Sequence, residues 1–104
     1  MSTSKPDPLR EIAGVRAKSQ RFLAEHPNHE DKHRVEDFIR ELDRFLKLPA
    51  NELKREVLKL KKEYDNQAKC RKWEVAALTY GWLSDDLWLI NSEINAAKKI
   101  TSAT

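Results

Sequence analysis

Two histidines four residues apart form the most specific chemical pattern in the chain. The segment HEDKH at positions 29–33 fits H-E-x-x-H, which in zinc peptidases places two ligands on one helical face beside a glutamate base. Here the segment follows Pro27 closely, so it falls in the first turn of a helix and not in the middle, where a buried site forms. Lys32 adds positive charge beside the pattern. We therefore expect an ordinary solvated helix start and no cofactor, and zinc binding at His29 and His33 ranks last among the alternatives.

No other arrangement of residues predicts catalysis. Cys70 lies next to Lys69 and Arg71, which favour the thiolate, but no histidine is near in sequence to act as a base. The two glycines are isolated at positions 14 and 81, so they form no phosphate-binding loop. Adjacent carboxylates diverge on a helix. We expect a protein that is not an enzyme.

A lysine-rich segment suggests nucleic-acid binding. If residues 53–80 are helical, their lysines form one broad stripe, and Trp73 and Tyr80 extend it with rings that could stack on bases. Glu63 and Asp65 interrupt the positive charge, and similar spacings occur in ordinary surface ion pairs. Nucleic-acid binding is therefore the alternative function, and its residues would be Lys54, Lys61, Lys62, Lys69 and Lys72.

The C-terminal third carries more apolar surface than one buried face requires. Leu78 and Trp82 are expected to point to the core together with Val75, which leaves a second apolar face on the same helix. In the following segment the inward spacing of the aliphatic residues turns Trp88 outward. Tryptophan and tyrosine are enriched at binding hot spots. We expect this surface to bind a protein, either a foreign partner or a second copy, through Trp73, Tyr80, Leu83 and Trp88, flanked by Lys69 and Lys72.

Apolar residues at helical spacing define the first two elements. The first helix is predicted to begin at Asp7-Pro8, an N-cap followed by proline at the first position, and to end at about Glu25 before Pro27. The second is predicted to begin near Asn28 or His29 and to end at Pro49. Its apolar residues follow the i, i+3, i+4, i+7 rule without a miss: Val35, Phe38, Ile39, Leu42, Phe45 and Leu46.

The segment spanning about residues 49–81 permits two interpretations. Either one long helix occupies it, or a break near Asp65-Asn66 divides it, and we expect a break or kink because an unbroken helix would be about 45 Å long. Gly81 is predicted to end this segment, and Ser84 to cap a last helix. The sequence thus predicts an all-α fold, a compact four- to five-helix bundle with short connections in a single domain over residues 1–104, frayed at 1–6 and 101–104.

The amino-acid composition indicates the kind of surface and core that the protein has and the cellular compartment in which we expect it. Hydrophobic residues make up 39% of the 104 positions and charged residues 36%, which predicts a highly charged surface over a lean core. The chain has one cysteine, no apolar leader at its start and no run of apolar residues long enough to cross a bilayer. We therefore expect a cytoplasmic protein with no membrane contact. Its function is predicted to be that of a small adaptor, inhibitor or regulator acting through protein–protein interaction.

Overall fold

Four α-helices account for most of the residues described by the computed structural model, which are 7–71 and 74–103. They are α1 (Pro8–Glu25), α2 (Lys32–Leu46), α3 (Ala50–Cys70) and α4 (Val75–Ala103). No strand occurs within those two ranges. The all-α fold class is therefore confirmed. Residues 101–103, which we expected to fray, belong to α4, whereas residues 1–6 lie outside the described part of the chain.

The start and end of α1 follow its sequence signals. Asp7 is the N-cap, and its carboxylate accepts a hydrogen bond from the backbone N–H of Arg10 at 3.3 Å. Pro8 occupies the first helical position, where its missing N–H costs nothing. The helix ends at Glu25, immediately before His26 and two residues before Pro27. The predicted bounds of this helix are confirmed.

The helix α2 begins three residues later than its sequence suggested. It starts at Lys32, so the predicted start near Asn28 or His29 is wrong. The preceding residues form turns, in which the N–H of His29 bonds to the carbonyl of His26 at 3.1 Å. Asp31, directly before α2, is buried, and its carboxylate accepts a 2.7 Å hydrogen bond from the hydroxyl of Thr79 in α4. This long-range contact fixes the residue before α2, and sequence spacing alone does not reveal it.

The break between α3 and α4 lies nearer the C-terminus than predicted. Arg71 and Glu74 are outside both helices, so a single helix over 49–81 is wrong, and so is a break at Asp65-Asn66. Asp65 is held inside α3 by hydrogen bonds from Lys61 in its own helix and from the hydroxyl of Ser84 in α4. Ser84 therefore bonds across two helices and does not cap a new one, and α4 continues through this position.

The interior position of Gly81 leads to a stability prediction. Gly81 lies within α4, and a Cβ built on it meets no atom within 4 Å. Gly81→Ala is therefore expected to raise the free energy of unfolding by about 0.5–1 kcal/mol, since alanine loses less backbone entropy in a helix. Urea unfolding of the variant measures this change. Gly14→Ala in α1, which also has open space, is the matched control, and a loss of stability in both variants would contradict the prediction.

The four helices alternate in direction. Arg16 pairs with Asp43 between α1 and α2, and Arg44 pairs with Glu56 between α2 and α3. Both of these contacts join antiparallel neighbours. The fourth helix lies antiparallel to two neighbours, α3 and α1, and makes most of its contacts with α3.

The core lies along the shared axis of the bundle. Each fully buried aliphatic or phenylalanine side chain contributes on the order of 1.5–3 kcal/mol through removal of apolar surface from water. The stripe predicted for α2 supplies the largest of these side chains, so its amphipathic phase is confirmed. The buried cluster consists of Ile12, Val15, Phe38, Leu42, Phe45, Leu53, Val57, Leu60, Tyr64, Leu83, Leu87, Ile90 and Ile94.

The rotation of α4 about its own axis differs from the prediction in its first half. Leu78 is 77% exposed and Val75 is also exposed, although both were expected in the core. Leu83, expected on the binding surface, is fully buried. Trp82 is half-buried and packs against the core, as expected. The prediction failed because α4 is apolar on most sides in this half, so periodicity did not distinguish the inner face from the outer one.

A buried carboxylate in α4 gives the protein a distinctive pH response. Asp86 is 3% exposed, and burial raises the pKa of its carboxyl even though Lys18 lies 3.1 Å away and opposes the shift. Because the folded-state pKa is above the unfolded value of about 3.9, the folded chain holds this proton more tightly. The contribution of Asp86 to stability is therefore lost as the pH rises from the unfolded pKa through the folded pKa.

Asp86→Asn is expected to remove this loss, because asparagine does not titrate. The free energy of unfolding of the variant, minus that of the unsubstituted chain, should increase with pH above about 4 and level off once Asp86 is ionised in the folded state. Urea unfolding at a series of pH values measures this difference, from which all other carboxyl groups cancel. A difference that decreases with pH would show that the ion pair with Lys18 outweighs desolvation.

Candidate protein-binding face

Four exposed residues of α4 share the side of the helix that faces away from the bundle. Leu78 precedes Asp85 by seven residues, and Trp88 and Leu89 follow Asp85 by three and four residues, in helical register; we call these four residues the outer face of α4. Leu78 is 77% exposed, Trp88 55% and Leu89 45%. Leu83 on the opposite side of the helix is fully buried. The outer face therefore presents three large apolar side chains and a single carboxylate to solvent.

Trp88 lies beside the neighbouring helix α3. Ser84 donates its hydroxyl hydrogen to Asp65, and Asp65 also accepts a 2.9 Å hydrogen bond from the ammonium of Lys61. One helical turn beyond Ser84 in α4 lies Trp88, and one turn before Asp65 in the antiparallel α3 lies Lys61. Trp88 and Lys61 are therefore level with each other along the two helices. The hydrogen bond from Lys61 is the main cause that lowers the pKa of Asp65, so this carboxyl stays ionised and keeps the contact.

The helix α3 carries opposite charges on its two flanks. Glu56 and Glu63 line the open groove toward α2, where Glu56 pairs with Arg44 at 2.8 Å. The flank toward α4 carries lysines at helical spacing, and within the described ranges its only carboxylate, Asp65, is already bonded to Lys61. We call this flank the basic flank of α3. Its lysines are Lys54, Lys61, Lys62 and Lys69, and the exposed Leu58 lies among them.

The helix α1 borders the outer face of α4 on its other side. Phe22 packs against Trp82 with ring centroids 4.9 Å apart, and Lys18 pairs with Asp86. Lys18 and Arg21 line an open hollow of about 280 Å³ beside these rings, together with Glu25. The α1 border thus holds basic and acidic side chains together, and the lysines without salt-bridge partners lie on the basic flank of α3.

The structure separates the residues predicted for partner binding. Trp88 and Lys69 are exposed, in keeping with the prediction, whereas Leu83 belongs to the core, and its assignment to the surface is wrong. Trp73 and Lys72 lie outside the described residues.

Tyr80, the remaining residue of that set, is partly turned into the bundle. Its ring packs 5.3 Å from that of Tyr64, and its hydroxyl accepts a 3.2 Å hydrogen bond from Arg34. Arg34 also lies over the Tyr80 ring and pairs with the buried Asp31. The hydrogen bond that Arg34 donates to Tyr80 is the largest cause that raises the pKa of Arg34. Tyr80 therefore anchors α2 against α4, and little of it is free for a partner.

The residues predicted for nucleic-acid binding are only partly available. Lys62 and Lys69 are exposed, while Lys54 and Lys61 are half-buried and Lys61 is engaged by Asp65. Of the two rings expected at the end of this stripe, Tyr80 turns inward, and Trp73 lies outside the described residues. No ring that the sequence placed on this stripe is therefore available to stack on a base within the described residues.

The histidine pair does not have the geometry of a metal site. His29 precedes α2, so His29 and His33 do not share a helical face as the H-E-x-x-H pattern requires. The Nδ1 atom of His29 accepts a 3.1 Å hydrogen bond from the N–H of Asp31, and its ring packs edge-on against Phe22. His33 is exposed. Across residues 7–71 and 74–103, no group of three or more histidine, cysteine or acidic side chains could hold a metal ion.

Sequence reasoning missed Leu89 and Leu58, which the structure adds to the exposed apolar surface. The spacing Leu78, Asp85, Leu89 was available as a signal, because a second stripe at i, i+7, i+11 accompanies the buried one. Sequence reasoning also missed an open groove of about 420 Å³ between α2 and α3. Its base is formed by Leu60, Tyr64 and Tyr80, and its rim by Arg34, Asp37, Arg40, Glu41 and Glu63.

Comparisons with known proteins leave this face to be interpreted from its own chemistry. Neither protein-family models nor curated proteins nor solved structures gave a match to the chain. Among the described residues, no helix is both long enough and apolar enough to span a membrane.

Proposed function

We propose that this chain is a non-enzymatic binding protein, an adaptor, inhibitor or regulator that engages a protein partner through the outer face of α4. The observation that supports this proposal is the exposure of Leu78, Trp88 and Leu89 together on one side of one helix. Single exposed apolar residues are normal in soluble proteins, but neighbouring large ones mark interaction sites. Cys70 is exposed and forms no disulfide, which favours a reducing compartment such as the cytoplasm.

The energetics of the exposed residues support the same conclusion. Covering a large apolar side chain contributes on the order of 1.5–3 kcal/mol, so a partner that covers the three gains much of the free energy that association requires. Tryptophan is the residue most often found as a binding anchor. The hydrogen bond between Ser84 and Asp65 one turn away holds this part of α4 against α3, so the helix that carries Trp88 needs little ordering when a partner binds.

Site-specific photo-crosslinking tests the proposal. A photoreactive residue replaces Leu78 or Leu89 in the full-length chain, which is irradiated inside the cells that naturally produce it. We expect one discrete adduct from both positions. The control is the same residue at Arg40, whose side chain is exposed on the outside of α2. The absence of an adduct, or the same adducts from position 40, would contradict the proposal.

Nucleic-acid binding is a second candidate, favoured by one observation. Lys54, Lys62 and Lys69 repeat along some 22 Å of α3, and none of them forms a salt bridge with a described residue. Phosphate binding by such a stripe predicts retention on single-stranded DNA with a steep loss of affinity as salt increases, and each lysine removed lowers the slope by about one unit or slightly less. The decrease in the salt-dependence slope of the Lys62→Ala variant measures the contribution of one lysine. Salt-insensitive or absent retention would eliminate this candidate.

A further inference from the structure

We infer that the occupant of the outer face of α4 is an acidic amphipathic helix of a partner protein, lying along α4 with its carboxylates toward the basic flank of α3. This inference rests on the proposed function and adds the chemistry of the partner. It follows from the shape of the exposed face, the charges that border it and the self-repulsion of the alternative dimer.

The exposed apolar residues suit a helical partner. From Leu78 to Leu89 the outer face extends about 17 Å along a straight helix, the length of roughly 12 residues of a second helix. Leu78 precedes Trp88 by ten residues and Leu89 by eleven, which are the sums of the seam intervals seven and three and seven and four. An amphipathic helix presents apolar residues at the same intervals, so its seam covers these side chains in register.

The borders of the face determine the charge of the partner. On the α3 side lie Lys54, Lys62 and Lys69 without salt-bridge partners among the described residues, whereas on the α1 side Lys18 is paired with Asp86 and Arg21 lines the same hollow as Glu25. A helix seated on the outer face of α4 places one row of its flanking residues beside the lysines of the basic flank. Carboxylates at those positions attract and steer the partner, whereas lysines or arginines repel it.

The same borders argue against a second copy of this chain as the occupant. A two-fold dimer through the outer face of α4 places either α3 against α3 or α3 against α1 of the other copy. The arrangement with α3 against α3 brings Lys54, Lys62 and Lys69 of the two copies together, and the other arrangement places these lysines opposite Arg21 and Lys18, beside which lie the carboxylates of Glu25 and Asp86. Like charges placed opposite each other are unfavourable. A foreign, acidic partner avoids this repulsion.

The leucines argue for a protein partner over a nucleic acid. Nucleic acids bind through phosphates and stacked bases, which gain from lysine and aromatic rings but little from exposed aliphatic side chains. Leu78 and Leu89 lie on the same face as Trp88, and Leu58 lies among the lysines of the basic flank. Four large apolar side chains beside a lysine row match an amphipathic helix better than a phosphate backbone.

Two synthetic peptides test the inference against the full-length chain. Both are 18-residue helices with the same leucine seam, and they carry either glutamates or lysines at all flanking positions. Fluorescence anisotropy at low and high salt is expected to show saturable binding of the acidic peptide, weakened by salt, and at least tenfold weaker binding of the basic peptide. Equal affinity for the two peptides, or no binding of either, would overturn the inference.

Charge-reversal variants locate the binding. Lys54→Glu combined with Lys62→Glu is expected to weaken binding of the acidic peptide at least tenfold. The control is Lys59→Glu combined with Arg40→Glu, the same change in net charge at residues that border the groove between α2 and α3. An equal loss in the control pair would show nonspecific attraction and overturn the inference. So would displacement of the acidic peptide by a 20-nucleotide single strand that binds more tightly, because the flank would then be a phosphate site.

The photo-crosslinking result keeps the two proposals distinguishable. Adducts from positions 78 and 89 without a preference for the acidic peptide would leave the proposed function standing and reject the acidic helix. The absence of adducts from both positions would reject the proposed function itself, whatever the peptides do.

Discussion

Trp88→Ala is expected to weaken binding of the partner at least 30-fold while leaving the chain folded. The side chain of Trp88 is 55% exposed on the outer face of α4, and truncation of an aromatic anchor costs 2 kcal/mol or more at a hot spot. The free chain loses little, because most of the ring already contacts water. Titration with the acidic peptide measures the affinity, and urea unfolding measures the stability.

The control for this variant is Leu9→Ala. Leu9 is an exposed apolar residue of α1, and nine residues place it half a turn around the helix from Lys18, which contacts α4. Removal of its side chain should leave the affinity unchanged. If Trp88→Ala unfolds the chain, the tryptophan is part of the core. If both variants bind as the unsubstituted chain does, the outer face of α4 is not the binding site.

Leu83→Ala is expected to cause a large loss of stability. Leu83 is fully buried among the core residues, and removal of a buried leucine side chain costs about 2–5 kcal/mol through lost apolar burial and the cavity left behind. Leu78→Ala is the matched comparison, the same substitution five residues earlier in the same helix. Its cost should be within about 0.5 kcal/mol, because Leu78 is 77% exposed.

Urea unfolding of these two leucine variants determines the rotation of α4. A large loss for Leu78→Ala and a small one for Leu83→Ala would reverse the inner and outer faces and restore the assignment made from the sequence. That outcome would also remove Leu78 from the proposed binding face.

The sequence was sufficient for α1 and α2 where strong local signals were present. The N-cap Asp7 and Pro8 defined the start of α1, and the apolar residues of α2 were separated from its charged residues without exception. Amphipathic periodicity determines which side of such a helix is buried. The start of α2 was missed because it depends on a contact between Asp31 and Thr79, which are 48 residues apart.

The sequence was insufficient for the first half of α4, because both sides of that segment are apolar. Gly81 and Ser84 also predicted a helix end followed by an N-cap. In the structure Ser84 instead donates its hydroxyl hydrogen to Asp65 in α3. For the candidate site, the outward direction of Trp88 was predicted from the inward spacing of Leu87 and Ile90 in the second half of the helix. The neighbouring Leu89 was not identified, since its exposure depends on how α3 and α1 flank α4.

Three polar contacts determine the rotation of α4 about its own axis. Thr79 bonds to Asp31 directly before α2, Ser84 to Asp65 in α3, and Asp86 to Lys18 in α1, so three separate segments of the chain each contribute one contact. Apolar burial alone determines the rotation of such a helix weakly, because several rotations bury similar areas. A turned helix would leave the buried Asp86 without Lys18 and the buried hydroxyl of Thr79 without Asp31, and unpaired buried charges and polar groups are costly.

The exposure of Leu78 and Trp88 therefore depends on the polar contacts of Thr79, Ser84 and Asp86 and not on the hydrophobicity of the exposed residues themselves. A rotation that buried Leu78 would expose Leu83 instead, so apolar burial alone would permit either side of the first half of α4 to face solvent. The three polar contacts exclude that rotation and keep the outer face of α4 accessible. Substitutions that increase the apolar character of these interior polar positions would act at a distance on binding, by releasing the helix to turn.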